Sequence, residues 1–270
     1  MRASDRIRVT GDRREYVRFS TSQRLQHVFM FVPFIILVVT GFPIKFPDNA
    51  FWAHSVQVFG GIQVVRSVHR LAAAVMIADF GFHVLYVFFN ILRNRTPLAG
   101  MHLLPNMQDA RDIATNVRYF LFLSDERPRF HRFSYLEKFD YWAVFWGMFI
   151  MAGSGLVLWH PEAVGRLFPS EVIQIAYVAH SDEALLAFLA IVIWHFYNVH
   201  FNPRVWPANK VWYKGTLSEE EMLHDHPREL EELLEQQKRG RGRRRTDALD
   251  PPGTTLGTGD APADGEGGRP

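Results

Sequence analysis

Four stretches of about 20 residues with almost no charge alternate with polar segments along the chain. They cover residues 25–44, 71–92, 141–161 and 184–203, and Asp79 is the single charged residue among them. An α-helix rises about 1.5 Å per residue, so each stretch reaches roughly 30 Å, the thickness of the hydrocarbon core of a bilayer. The pattern therefore predicts four transmembrane helices.

Lysine and arginine are unevenly distributed over the polar segments. Residues 1–24 hold seven, 93–140 eight and 204–270 eleven, against three in 45–70 and one in 162–183. Segments rich in these residues stay on the cytoplasmic side. We therefore expect a protein of the cell inner membrane, embedded in the lipid bilayer, with both termini and the long middle loop in the cytoplasm. The N-terminal segment lacks the apolar region of a cleaved signal peptide.

The polar segments contain two further predicted helices. Residues 107–123 form an amphipathic pattern typical of a helix on the cytoplasmic membrane surface, and residues 219–237 read as a charged soluble helix. His224, Asp225 and His226 are interpreted as a surface turn. The expected organisation is a cytoplasmic segment at 1–24, a four-helix domain at 25–203, a C-terminal helical segment at 204–238 and a disordered tail at 239–270.

The absence of cysteine narrows the cofactor chemistry. The chain has no cysteine, which excludes disulfides, iron–sulfur clusters, thiolate zinc sites and the covalent attachment of c-type haem. Any redox cofactor must be held by other side chains.

Histidines are the strongest functional signal. The chain has twelve, and a polar ring inside a bilayer is costly unless it has a partner or binds a ligand. Six of them lie inside or at the ends of the apolar stretches and are the candidate cofactor ligands: His27, His69, His83, His180, His195 and His200.

The spacing of these histidines places them at two levels of the membrane. His69 and His83 are 14 residues apart on the second helix, which separates them by about 40° and roughly 21 Å. His180 and His195 are 15 residues apart on the fourth helix, which runs in the same direction. His69 and His180 therefore share an outer level. His83 and His195 share an inner level, where His27 of the first helix also lies.

Two levels about 20 Å apart suit two stacked haems, each with two histidine ligands, in a four-helix bundle. Without cysteine the haems would be b-type and non-covalent. The predicted fold class is therefore all-α: an integral membrane four-helix bundle that binds b-type haem, with a cytoplasmic amphipathic loop helix and a soluble C-terminal tail.

The sequence also resembles a known family, the cytochrome b (gamma) membrane subunits of respiratory formate dehydrogenases and their relatives in nickel–iron hydrogenase and thiosulfate reductase complexes. The resemblance covers roughly residues 19–232. The motifs that carry it are R-L-Q-H at Arg24–His27, T-G at Thr40-Gly41, R-S-V-H at Arg66–His69, G-L-V-L-W-H-P at Gly155–Pro161, A-H-S-D-E-A…W-H-F-Y at Ala179–Tyr197 and His226-Pro227.

The resemblance implies ligand pairs and partners. His69 with His180 would bind the outer haem, and His27 with His195 the inner one. Electrons would pass between a periplasmic iron–sulfur or multihaem cytochrome subunit and a membrane quinone. The quinone pocket would lie beside the inner haem, near residues 133–138. No substrate site for formate, hydrogen or thiosulfate is expected in this chain, and no nucleic acid as partner.

The sequence departs from the family pattern in ways that leave alternatives open. His83 and His200 are outside the family's four ligands, and the interval between His180 and His195 is one residue longer than the pattern. Geometry alone would pair His83 with His195, and a third haem between His83 and His200 is a further alternative. The competing functions are a free-standing transmembrane dihaem reductase and a haem-free membrane anchor or proton carrier.

Overall fold

The computed structural model describes residues 6–10, 13–94, 102–203 and 205–249. Four of its helices are long and apolar enough to cross a membrane. Numbered in chain order, they are α1 (Thr21–Lys45), α3 (Ile62–Asn94), α5 (Tyr135–Trp159) and α7 (Glu171–Leu189), which π-helical turns extend to Phe201. The prediction of a mostly helical membrane protein is confirmed.

Each spanning helix is longer than the charge-free stretch that predicted it. Ser20 and Ser134 cap α1 and α5 before those stretches begin, because each hydroxyl accepts from a backbone N–H one turn ahead in a capping box. The starts of α3 and α7 also lie well before the predicted positions 71 and 184. His69 and His180 consequently lie inside helices.

The turns that extend α7 are π-helical and cover Ala190–His195 and Tyr197–Phe201. A π turn holds more residues than an α turn, because its hydrogen bonds join residues five apart. His195 and His200 lie in these π-helical turns. Such turns occur frequently at functional sites.

Helix packing in the bundle is pairwise. α1 packs mainly against α3, and α5 packs against α7. Many large apolar side chains point outward, among them Phe88, Trp146 and Ile193, which are more than half exposed. An outward apolar surface on all four helices is what a lipid environment requires.

Short helices lie in the connections. α2 (Ala50–Val58) and α6 (Pro161–Leu167) follow α1 and α5. The predicted amphipathic helix of the middle loop is present as α4 (Met107–Phe120), with Asn106 as its cap. It ends before the predicted Leu123, because Phe122 adopts a left-handed backbone conformation with φ 57°.

A small polar domain, not predicted from the sequence, adjoins the end of the bundle where α1 and α5 begin. The antiparallel sheet has the order β1 (Ile7–Thr10), β2 (Arg13–Val17) and β3 (Thr216–Ser218). A short helix, α8 (Val211–Lys214), precedes β3. The helices α9 (Glu219–Asp225) and α10 (Pro227–Leu249) follow it.

We call the sheet with α9 and α10 the cap, and the adjoining end of the bundle the cap end. The opposite end is the far end. The cap has its own apolar core, formed by Tyr16, Leu217, Met222, Leu230 and Leu233.

The C-terminal prediction needs two corrections. The expected single helix over 219–237 is two helices that meet at His226 and Pro227, because proline restricts the residue before it and lacks an N–H. The second correction concerns the tail, since α10 continues to Leu249 and so enters the segment expected to be disordered from 239. Residues 250–270 of that segment lie outside the described residues.

A buried ion cluster joins the cap to the bundle. Glu229, 3% exposed, accepts hydrogen bonds from Arg18 at 2.6 Å, from Arg132 at 2.9 Å and from Arg6. Arg132 precedes α5 and also donates to the backbone oxygen of Arg18 at 2.6 Å. Burial lowers the pKa of Arg18 to about 10, with Glu137 opposing the shift, so its guanidinium stays charged at neutral pH.

His226 is buried beside this cluster, and its interpretation as part of a surface turn is wrong. Its side chain is 6% exposed, and its Nδ1 bonds with the backbone oxygen of His131 at 2.8 Å. Burial, and next the charge of Arg18, hold the pKa of His226 below its usual range. The ring is therefore neutral at pH 7.

Replacing Glu229 by alanine is expected to detach the cap. The change leaves the buried guanidinium of Arg18 without its carboxylate, and breaking a buried ion pair typically costs about 3–5 kcal/mol. Hydrogen exchange of α9 and α10 in the full chain should accelerate markedly. The matched control is Glu231→Ala, whose exposed pair with Arg129 should matter little. Equal protection in both variants would contradict the role of the cluster.

Candidate functional site

The candidate histidines lie at two levels of the bundle, as the spacing predicts. His69 on α3 and His180 on α7 lie toward the far end. His27, His83, His195 and His200 lie toward the cap end: His27 near the start of α1, His83 in the second half of α3, and the other two in the π-helical turns of α7.

The far-end pair faces across the bundle. The ring centres of His69 and His180 are 6.4 Å apart, with the ring planes at 68°. The Nδ1 of His69 bonds with the Thr40 hydroxyl at 2.8 Å, and the Nδ1 of His180 bonds with the Ser154 hydroxyl at 3.1 Å. Each ring is thus held at its Nδ1, which leaves its Nε2 as the nitrogen that can bind a metal.

This spacing fits one metal atom between two imidazoles. A metal–imidazole bond is about 2.0–2.1 Å long, so two rings that face each other across one metal have centres roughly 6 Å apart. A hydroxyl at the other ring nitrogen fixes the orientation of a ligating histidine. The two histidines therefore suit axial ligation of a haem, whose iron is held by two residues and by the macrocycle.

The described part of the chain forms no metal site from protein side chains alone. Among the described residues no group of three or more histidine, aspartate or glutamate side chains is placed to hold a metal ion. Two histidines alone are too few for a structural metal site, which favours a cofactor that brings its own equatorial ligands.

Glycines give the far-end rings their space. A Cβ on Gly155 would lie 3.1 Å from Cε1 of His180, and one on Gly41 would lie 3.6 Å from Cε1 of His69. The first distance is shorter than ordinary van der Waals contact, so a side chain at Gly155 would displace the ring. The glycine that begins the motif G-L-V-L-W-H-P therefore has a steric reason, while Gly41 of the T-G motif lies in ordinary contact with its ring.

His27 and His195 form the corresponding group at the cap end. The Nδ1 of His27 is buried and has no hydrogen-bond partner among the described residues. Its ring packs beside Phe31 at 5.6 Å and Trp212 at 6.4 Å between ring centres. His195 lies within electrostatic reach of His27. A buried nitrogen without a partner is costly, and its chemistry suits a ligand that the protein itself does not supply.

His83 has a different environment from the other five. Its Nδ1 bonds with Oε1 of Gln26 at 2.8 Å, and its Nε2 bonds with the hydroxyl of Tyr141 at 3.0 Å. Both ring nitrogens are thus engaged by side chains from α1 and α5. A histidine ligates through one nitrogen, so the pairing of His83 with His195 that spacing alone suggested would require the hydrogen bond at that nitrogen to break.

His200 packs among aromatic rings, with ring-centre distances of 5.5 Å to Phe196 and 6.4 Å to Phe201. It also lies within electrostatic reach of His195. In the described part of the chain no hydrogen bond or ring contact joins His200 to His83. The three-haem alternative stays a prediction.

Comparison with known proteins shows the family of this chain. A sequence model of the family described as prokaryotic cytochrome b561 matches residues 18–212. The chain belongs to the prokaryotic cytochrome b561 family. The expected resemblance is confirmed, and the protein is a membrane cytochrome of the b type that acts in electron transfer.

Two curated relatives of this cytochrome are named as formate dehydrogenase subunits. The cytochrome b556(fdo) subunit of Escherichia coli K12 is 25% identical over 204 residues, 75% of this chain and 82% of the relative. The cytochrome b556 subunit of Haemophilus influenzae is 24% identical over 196 residues, 71% of this chain and 73% of the relative.

The segment that the resemblance associates with a quinone holds polar contacts that build the start of α5. The Ser134 hydroxyl and Glu137 form the capping box, and Lys138, 6% exposed, pairs with Asp109 of α4 at 2.7 Å. The hydroxyl of Tyr135 accepts from Asn116 at 2.6 Å. These contacts anchor α4 to the cap end of this cytochrome.

The sequence does not give the contacts of several residues of the site. Thr40 and Gln26 lie in the T-G and R-L-Q-H motifs, but these motifs do not indicate contact with His69 and His83. Ser154 and Tyr141 become notable only through their contacts with His180 and His83. Each lies on a different helix from the histidine it contacts. Only the three-dimensional packing of α1, α3, α5 and α7 reveals these pairs.

Proposed function

We propose that this cytochrome is the dihaem electron-transfer subunit of a respiratory membrane complex. It would carry electrons across the membrane between a periplasmic redox partner and the quinone pool. The observation that carries the proposal is the facing pair His69 and His180, whose separation suits axial ligation of one haem.

The second haem would bind at the cap end between His27 and His195. The buried free Nδ1 of His27 and its proximity to His195 support this choice. The engagement of both nitrogens of His83 argues against the alternative ligand. Each haem, when bound, supplies a one-electron carrier, and the surrounding apolar bundle tunes its potential.

The orientation follows from charge. The cap end carries the N-terminus, the long middle loop and the C-terminal segment, which together hold 26 of the 30 lysines and arginines. The positive-inside rule assigns this end to the cytoplasm of a cell with an inner membrane, and the far end to the periplasm. The far-end haem would then exchange electrons with the partner, and the cap-end haem with a quinone.

The partner would be an iron–sulfur or multihaem cytochrome subunit. The formate dehydrogenase names of the curated relatives support a place beside an iron–sulfur subunit. This chain has no cysteine and therefore no iron–sulfur cluster of its own. Catalysis on formate or a comparable substrate would belong to another subunit.

A reduced-minus-oxidised absorption spectrum of the purified full chain, with haem and protein quantified, tests the proposal. Two b-type haems per chain are expected. Three would support a site at His83 and His200, and none would leave the anchor or proton-carrier alternative. Co-purification from native membranes separates the remaining alternatives, because a complex subunit retains a redox partner and a free-standing reductase does not.

A further inference from the structure

A hydrogen-bonded chain links three helices at the cap end. The Nε2 of Gln26 donates to the Ser22 hydroxyl at 3.1 Å, which leaves its Oε1 to accept from His83 Nδ1 at 2.8 Å. A neutral histidine carries one proton, so the Nε2 of His83 is the acceptor of its bond with Tyr141. The Tyr141 hydroxyl therefore donates to it at 3.0 Å.

This arrangement fixes the direction of proton movement. Gln26 is 9% exposed, so its amide is held firmly and keeps the proton of His83 on Nδ1. The other nitrogen is basic and faces a phenol. A tyrosine hydroxyl that donates to a neutral imidazole can pass its proton on and accept another from a third group.

The pair lies beside the cap-end ligand group. Gln26 directly precedes His27 in α1. On the other side, the carboxyl of Asp140, which directly precedes Tyr141 in α5, lies near the side chain of Trp194, the residue before His195. Both ends of the hydrogen-bonded chain thus adjoin the residues proposed to hold the inner haem.

An aromatic surface leads from Tyr141 to the outside of the bundle. The ring of Tyr141 stacks on Phe145 at 6.3 Å, Phe145 meets Trp146 at 5.8 Å, and Phe149 follows at 5.2 Å from Phe145. Trp146 is 60% and Phe149 50% exposed on the lipid-facing surface. A planar ring dissolved in the bilayer can therefore approach the hydroxyl along aromatic faces, which favour offset or edge contacts with it.

We propose that Tyr141, with His83 behind it and Gln26 as the positioning residue, exchanges protons with the quinone; the proposal rests on the proposed function. When a quinol is oxidised, its hydroxyl proton passes to the Tyr141 oxygen while the Tyr141 proton passes to Nε2 of His83. The second quinol proton goes to water at the cap end. The two electrons leave to the cytochrome one at a time, and quinone reduction follows the same steps in reverse.

The test is the rate at which a quinol reduces the oxidised haem of the purified full chain, followed by rapid-mixing absorbance with decylubiquinol or menadiol. Tyr141→Phe keeps the ring but removes the hydroxyl, and the rate should fall by roughly 10²–10⁴-fold, the usual contribution of a positioned acid or base. His83→Gln should fall similarly. Both variants should keep two haems, unchanged midpoint potentials and full reduction by dithionite.

The matched control is Tyr86→Phe on α3, whose ring stacks on Phe82 and whose hydroxyl has no hydrogen-bond partner among the described residues. It should reduce at the wild-type rate. The wild-type rate should also slow in D₂O, and the size of that isotope effect should change in Tyr141→Phe, because the quinol protons must then leave by another route.

Three outcomes would overturn the proposal. Wild-type rates in Tyr141→Phe would exclude the hydroxyl while leaving the proposed function intact. Loss of one haem from His83→Gln would show that His83 is a ligand instead. A wild-type chain that holds two haems but is reduced by neither quinol would refute the quinone reaction itself, and the proton role with it.

Discussion

Replacing His27 by alanine is expected to remove one haem from the chain, whereas His83→Ala should keep both. The Nδ1 of His27 is buried without a partner, while both nitrogens of His83 are occupied by Gln26 and Tyr141. A change in a group that supports a metal ligand typically lowers metal affinity by about 10–100-fold. Removal of the ligand itself should lower the affinity for haem by more than this. Haem quantified against protein after gel filtration measures the effect.

Electron paramagnetic resonance of the oxidised chain adds a second readout, since each bis-histidine haem gives its own low-spin signal. The His27→Ala variant should lose one signal and keep the other unchanged. If His83→Ala loses the haem and His27→Ala does not, the inner ligand is His83, as spacing alone suggested. His54→Ala, an exposed residue of α2, is the control for the effect of losing an imidazole.

The spanning helices could be predicted because their signal is local. Twenty uncharged residues in a row have few alternatives to a membrane helix. The positions where the helices begin could not be predicted, since Ser20 and Ser134 lie among polar residues and act as caps only through contacts with Gln23 and Glu137. The sheet of the cap was missed for a related reason: its strands are only three to five residues long, and β2 pairs with β3 across about 200 positions of the chain.

The candidate ligands could be found because an apolar helix makes each histidine conspicuous. Which of them face each other could be worked out only in part. The helical rise gives the level of His83 and His195, but it assumes a regular α-helix and does not include the π-helical turn that contains His195. It also cannot show that Gln26 reaches across from α1 to occupy His83. Only the contacts between helices distinguish the surroundings of one histidine from those of another.

Replacing His180 by alanine should stop electron transfer across the membrane while the cap-end haem remains. The far-end haem would lose one of its two axial ligands, and the remaining ligand, His69, is held by Thr40 in an orientation set for a pair. With the levels roughly 21 Å apart along the axis, no other described cofactor site bridges the gap. The rate of electron transfer across the membrane should fall to the rate measured with vesicles that contain no protein.

Sealed vesicles that contain ferricyanide and the reconstituted chain measure this transfer when dithionite is added outside. His69→Ala should give the same loss of transfer, and the double variant His69→Ala, His180→Ala should lose no more haem than either single variant, because both residues serve one haem. Combining His180→Ala with His27→Ala should instead remove both haems, since those residues lie at different levels. Residual transfer in His180→Ala at the wild-type rate would mean that the far-end pair does not carry electrons. The pattern of additivity therefore tests the pairing of the ligands, which neither haem content nor transfer rate of a single variant can do alone.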